Sequence, residues 1–305
     1  MVEYLKHDEI DKGKWDECIL KSQLPVVYMM SWYLDIITPQ WCALISGDYK
    51  AIMPLTWRKK YGIKYIYQSF LAQQSGIFTV DPAGIDERMI KDFFDAIPAF
   101  YRYIDYSFNE VISTHLLPGI YEVRKNHILL LNRDYITITN NYSRRCRRNI
   151  RKAQECLLRN SLETQASEAV AFFKKHLKEK LPEFNKYYMV IGHLMNICLY
   201  RNMGEILTAT APNGEIAGII FYLFNEYRCT MITCASTATG LKCQTMYYLI
   251  DQIIQKFAGK LKELDFFGTN IPSIEYFNES FGVETKYFTR LKINRLPWLL
   301  RMIKK

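Results

Sequence analysis

The chain has 305 residues, 49% hydrophobic and 14% aromatic, which is enough for two domains that each bury a core. It has no run of about 18 apolar residues, and Met1 to Asp11 carry charges where a signal peptide would be apolar, so the expectation is a soluble cytoplasmic protein. A formal charge of +9 favours an anionic partner, and the sum alone leaves CoA phosphate, RNA and an acidic membrane surface all open.

The eight cysteines (Cys18, Cys42, Cys146, Cys156, Cys198, Cys229, Cys234, Cys243) include no CxxC pair, and most lie in apolar runs. Reduced thiols packed as small hydrophobes are expected, not disulfides. The five histidines (His7, His115, His127, His176, His193) are scattered without an HExxH pattern, so no metal is expected.

Two short helical stretches, Lys14 to Lys21 and Trp32 to Ile37, precede a predicted strand at Cys42 to Ser46. A turn at Gly47-Asp48, a strand at Lys50 to Trp57, a turn at Arg58 to Gly62 and a strand at Ile63 to Phe70 complete a meander. The segment that follows, with Gln68, Gln73 and Gln74, is rich in amides, the groups that read small polar acceptors; its plainer alternative is a loop whose amides satisfy backbone groups. Met89, Ile90, Phe93, Phe94 and Ile97 have the spacing of a helix with one buried face, and Tyr103 to Asn109 reads as a strand.

From Arg144 to Lys152 there are six cations and no acid, while Cys146, Ile150, Ala153 and Leu157 form one helical stripe. Guanidiniums in pairs such as Arg147 and Arg148 suit the phosphates of CoA, a nucleotide-linked acceptor or a tRNA acceptor stem, and a solvated charged face is the alternative. Helical patterns follow at Ala169 to Leu181 and Met189 to Tyr200.

About 165 residues after the first meander, its order recurs: strands at Ile206 to Ala211, Glu215 to Phe224 and Arg228 to Ser236, separated by turns. A helix with Met246, Leu249, Ile250, Ile253, Ile254 and Phe257 on its apolar face and a strand at Leu264 to Asn270 complete the second copy. The repeated unit is β-β-β-α-β, with a boundary near Asn140-Asn141. The turn from Ser236 to Lys242 leads into a helix, where free N–H groups and the dipole can hold a phosphate, or where a Ser/Thr cap closes an ordinary turn. The tail from Leu291 to Lys305 mixes apolar and basic residues and reads as an interfacial helix at a membrane surface or a docking segment more than as a core strand; a terminal helix packed on the first domain or on a partner subunit is the alternative.

The order of elements, and the segment from Asn270 through Tyr276 and Phe277 to Gly282, resembles a GNAT acyltransferase domain; two such units with a basic helix opening the second resemble the FemAB-like branch. The implied fold is α/β (α+β): two tandem GNAT-like domains, 1–140 for acceptor recognition and 141–305 for donor binding, each a mixed, mostly antiparallel sheet flanked by helices. The implied activity is transfer of an acyl group from acyl-CoA, such as acetyl-CoA, to an amine; aminoacyl-tRNA as donor and a non-catalytic binding module are the alternatives. On this resemblance Ser236, Thr237, Thr239, Gly240, Leu241, Lys242, Asn270 and Phe277 fall at the CoA site, and Gln68, Gln73 and Gln74 near the acceptor groove. Phe277 stands where many GNAT enzymes have the tyrosine that protonates the thiolate, and the family's glycine-rich loop is missing. Tyr276, next to that position, is the candidate proton donor, and Asp265 acting through water is the second; packing and N–H capping are their respective plain alternatives.

Overall fold

Side-chain caps set where several helices begin in the computed structural model, which describes residues 1–113, 117, 120–177, 185–268 and 270–298. Asp11, Asp86, Asp134, Ser143 and Thr237 each accept the backbone N–H three residues on, satisfying an amide that the first helical turn leaves without a carbonyl. The chain divides into two units, Met1–Lys125 together with the residues from Lys286 onward, and Asn126–Thr285.

The first unit runs β1 (Val2–Leu5), α1 (Lys12–Lys21), α2 (Ser31–Ile37), β2 (Cys42–Ser46), β3 (Ala51–Leu55), β4 (Trp57–Lys60), β5 (Ile63–Tyr67), β6 (Phe78–Thr79), α3 (Glu87–Asp95), β7 (Tyr101–Phe108) and the start of β8 (Ile120–Leu130). The predicted second strand stops at Leu55 as β3, which pairs antiparallel with β2 and β6; after Thr56 a further strand, β4, runs from Trp57 through Lys60, where a turn was expected, and pairs with β5. β5 then pairs parallel with β7. Ile90 and Phe93 of α3 pack with Leu44, Met53, Ile104 and Phe108 in the core of this unit.

In the second unit come α4 (Tyr135–Thr139), α5 (Arg144–Glu155), β9 (Arg159–Ser161), α6 (Ala166–Leu177), α7 (Tyr188–Tyr200), β10 (Gly204–Thr210), β11 (Ile216–Phe224), β12 (Arg228–Ser236), α8 (Ala238–Lys242), α9 (Thr245–Phe257), β13 (Glu263–Asp265), α10 (Pro272–Glu279) and the start of β14 (Glu284–Asn294). β9, β10, β11 and β12 are antiparallel neighbours, and β12 pairs parallel with β13. α9 packs on β10 to β12 and on α5, and its Leu249, Ile250, Ile253 and Ile254 are buried with Leu207, Ile220, Tyr222 and Met231.

Each unit therefore contains antiparallel strands, a helix, and a returning strand parallel to the last, as the repeat predicts. The final strand of each is exchanged. β13 of the second unit is joined antiparallel by residues 128–130 of β8, which follow the first unit's own β7. β7 in turn is joined by residues 289–294 of β14, which follow β13.

The division therefore differs from a linear cut at 140/141, because strand exchange is a choice of long-range partner that local periodicity does not encode. The start of the predicted tail is corrected: Leu291 is fully buried within β14, opposite Tyr106, so residues 291–294 belong to a core strand. Residues 299–305 of the tail, 178–181 of one predicted helix, His115 and Thr269 lie outside the described residues. No helix among the described residues is long and apolar enough to cross a membrane.

Candidate functional site

β12 and β13 run together for only three pairs, Arg228 with Glu263, Cys229 with Leu264 and Thr230 with Asp265. Beyond that point β12 continues to Ser236, whereas β13 ends. Phe267, at a left-handed φ of 61°, turns the chain away, and its N–H donates to the Asp265 carboxylate (2.8 Å). Opposite β11 the register of β12 shifts, Met231 facing Tyr222 and Thr233 facing Phe221, so Ile232 is an extra residue, a bulge of the kind that re-aims a strand. The second unit thus presents a kinked strand whose backbone edge is left without a β13 partner.

The equivalent place in the first unit is bridged. Ser75 pairs with Phe108 beyond the β5–β7 pairing, its N–H donating to Ser107 and its carbonyl accepting from Asn109. Gln68 accepts from the Ser107 N–H (2.8 Å) and donates to the Ala72 carbonyl (2.5 Å); Gln74, fully buried, accepts from the Glu110 N–H (2.8 Å) and reaches Gln73 and the Glu110 carboxylate. Gln68 and Gln74 thus satisfy backbone groups of β7, of the residue after Asn109 and of the loop itself.

Residues 236–242 form the capped turn. Thr237 donates its N–H to the Ala217 carbonyl (3.0 Å) and accepts the Gly240 N–H on its hydroxyl (3.0 Å). A β-carbon at Gly240 would land on the Ala217 carbonyl oxygen, so only glycine lets α8 lie this close to β11. Thr239 donates to Glu215 (3.4 Å), Ser236 ends β12, and Leu241 and Lys242 are exposed. The first helical amides, of Ala238 and Thr239, have no carbonyl inside the helix to bond.

A disulfide joins Cys156, at the end of α5, to Cys243, at the end of α8. This overturns the expectation of reduced thiols for that pair: 87 residues separate the two in sequence, and spacing carries no signal over such a distance. Cys18, Cys42, Cys146, Cys198, Cys229 and Cys234 are free, and burial pushes the Cys18, Cys146 and Cys198 thiols up to about 12.

Asp265 is fully buried, with one oxygen on Arg228 (2.9 Å) and the other on the Phe267 N–H, while Arg228 also holds Glu263. The carboxylate is therefore a buried ion-pair partner and an N–H cap. Asn270 is exposed just ahead of α10. Phe277 packs edge-on against Tyr247 (ring centroids 4.6 Å apart) and near Phe281, which places it in the core beneath α10. Tyr276, its neighbour on α10, is 58% exposed and carries the Arg145 guanidinium over its ring, 4.5 Å from the centroid. Arg147 donates to the Asn140 carbonyl (3.4 Å), and Arg148 is exposed. The structure thus groups Tyr276 with Arg145 and Tyr247, neither of which the sequence singles out.

A second polar group hidden from the sequence is Asp251 on α9. It accepts from the hydroxyls of Tyr135 (3.0 and 2.9 Å) and Tyr142 (3.1 Å), tying α4 and the start of α5 to α9. Burial raises its carboxyl above the usual range, against the pull of both phenols.

No protein-family model and no curated protein matches the sequence. Among solved structures the chain is similar to the crystal structure of FemX, with a TM-score of 0.68 and 12% identity over 99% of each chain. It is also similar to the C-terminal domain of a putative lysylphosphatidylglycerol synthetase from Agrobacterium fabrum (TM-score 0.55, 9% identity, 96% of this chain and 95% of that one). A third likeness is to a tandem GNAT protein from the clavulanic acid biosynthesis pathway (TM-score 0.53, 12% identity, 97% of this chain and 100% of that one). At such identities the likeness is one of fold alone, and it runs over at least 95% of each chain: this protein has the tandem GNAT fold that these structures share.

Proposed function

We propose that the chain is an N-acyltransferase whose second unit holds an acyl-CoA donor along the open edge of β12 and passes the acyl group to an amine. The observation that carries this reading is the contrast between the units: β12 and β13 part beside a bulge, whereas Ser75 and the glutamine amides bridge the matching place in the first unit. An unpartnered strand edge offers fixed N–H donors to the oxyanion that develops on the acyl carbon, and such donors need no side-chain signature. The capped turn at 236–242 is where the pyrophosphate would rest, and the first unit is left to recognise the acceptor.

The proton for the leaving thiolate would come from Tyr276, exposed on α10 beside Phe277. Asp265 has both oxygens engaged and serves the Arg228 ion pair. Tyr276→Phe should lower kcat by roughly 10²–10⁴ and leave the Kd for donor nearly unchanged. A variant with near-wild-type turnover would remove Tyr276 from the reaction.

A second reading takes the acyl group from aminoacyl-tRNA; the six cations of α5, and a fold shared with FemX, favour it. Incubating the protein separately with acetyl-CoA and with charged tRNA, while following thiol release and deacylation in the presence of amines, distinguishes the two. Neither product would leave a binding module on the same fold.

A further inference from the structure

Arg144, Arg145, Arg147 and Arg148 crowd the first turns of α5, where the helix dipole is itself positive. No acid precedes Glu155 in this helix, and no carboxylate among the described residues pairs with any of its cations. Such a helix start is held against its own electrostatics, and a bound anion would relieve it.

One of these cations has a fixed seat. The ring of Tyr276 lies under the Arg145 guanidinium, and Tyr247, on α9 packed against α5, has its hydroxyl close to the same guanidinium. Tyr247 is only 3% exposed, its ring is stacked on Phe281 (5.5 Å, 23°) and set edge-on to Phe277, and so the hydroxyl cannot swing out to water. That hydroxyl is buried and finds no acceptor for its proton. A guanidinium has donors only, so it can never take the phenol's proton. The buried phenol proton therefore lacks an acceptor at the start of α5, and the guanidinium beside it lacks a carboxylate among the described residues.

We propose that Arg145 and the Tyr247 hydroxyl form a phosphate-binding site, with Tyr276 holding the guanidinium in place and Arg148, one turn along the same face, adding charge. The missing acceptor is an anionic oxygen. Phosphate is the favoured chemistry because the neighbouring cations provide for more than one negative charge, and a planar guanidinium fork matches two phosphate oxygens. The site goes beyond the transfer reading and stands whether or not the chain catalyses that reaction.

The test is calorimetric titration of the full chain with inorganic pyrophosphate at low salt. Arg145→Ala should weaken binding at least tenfold, and Arg145→Lys, which keeps charge but loses the fork, should recover only part of it. Tyr247→Phe removes one oxygen and keeps the ring: it should weaken binding severalfold, and it should raise Tm in the absence of anion, because a buried hydroxyl without an acceptor has gone. A purely structural Tyr247 would show the opposite, a lower Tm and unaltered affinity. Pyrophosphate binding that survives both the Arg145→Ala and Tyr247→Phe substitutions, or no binding to the wild type, overturns the proposal. A parallel titration with a short single-stranded RNA identifies the source of the phosphate: RNA that binds more tightly than pyrophosphate and is lost in both variants assigns the site to a nucleic-acid backbone, and pyrophosphate binding alone assigns it to a small phosphorylated molecule.

Discussion

Asp251 is a carboxylate held by two phenols, and no cation among the described residues pairs with it. Its folded pKa lies above the value of about 3.9 that it has in an unfolded chain, chiefly through burial. A raised carboxyl favours the fold fully below the unfolded pKa, and the advantage is lost as pH rises through the folded one, because between the two values the native state holds a proton that the unfolded chain has released. Asp251→Asn cannot ionise and still offers Tyr135 and Tyr142 an oxygen. Urea unfolding from pH 4 to pH 7 should therefore show the variant gaining on the wild type as pH rises; a constant difference would mean that Asp251 titrates as an ordinary exposed acid. Residues like this one were illegible in advance. Asp251 sits among Leu249, Ile250 and Ile253 as a polar break in an apolar face, and Tyr247 reads as one more core aromatic, since what matters for each is a partner, or a missing partner, from another element.

At the level of elements, legibility followed local chemistry. Arg228 and Ser236 are recoverable as the ends of β12 because a turn precedes the strand and a capping threonine follows it. The helix at α5 declares itself by an apolar stripe under an arginine face. The end of β3 at Leu55 and the extra strand β4 do not, because β3 and β4 pair in different sheets and the cations Arg58 to Lys60 read locally as a turn. The disulfide between α5 and α8 was likewise beyond reach. It closes a long loop, and bridges of this kind are worth about 2–4 kcal/mol. Thermal melts with and without dithiothreitol should show a reductant-dependent fall in Tm for the wild type and none for Cys156→Ser, whose melt should match the reduced wild type. Identical wild-type melts in both conditions would mean that the two thiols are not bonded in solution.

For the whole molecule, the internal repeat predicted two copies of one unit, and the pairings of β5 with β7 and of β12 with β13 follow it. What the repeat could not predict is which strand closes each copy. A fragment of residues 1–140 keeps β7 but loses β14, six register pairs long, and a fragment beginning at 141 loses the β8 residues that flank β13. Neither fragment alone should give a cooperative denaturant transition, whereas the two mixed or co-expressed should recover one; a sharp transition from residues 1–140 alone would show that β14 is dispensable.

The same exchange sets an order of events at the ribosome. Residues 126–285 are continuous in the chain, so that unit can close while the last residues are still being synthesised. The unit made first must wait longest, because β7 remains an unpaired edge until residues 289–294 emerge. In translation, then, the amino-terminal half is the last to mature, and for most of the time the chain is being made it carries an open strand that a chaperone would have to shield.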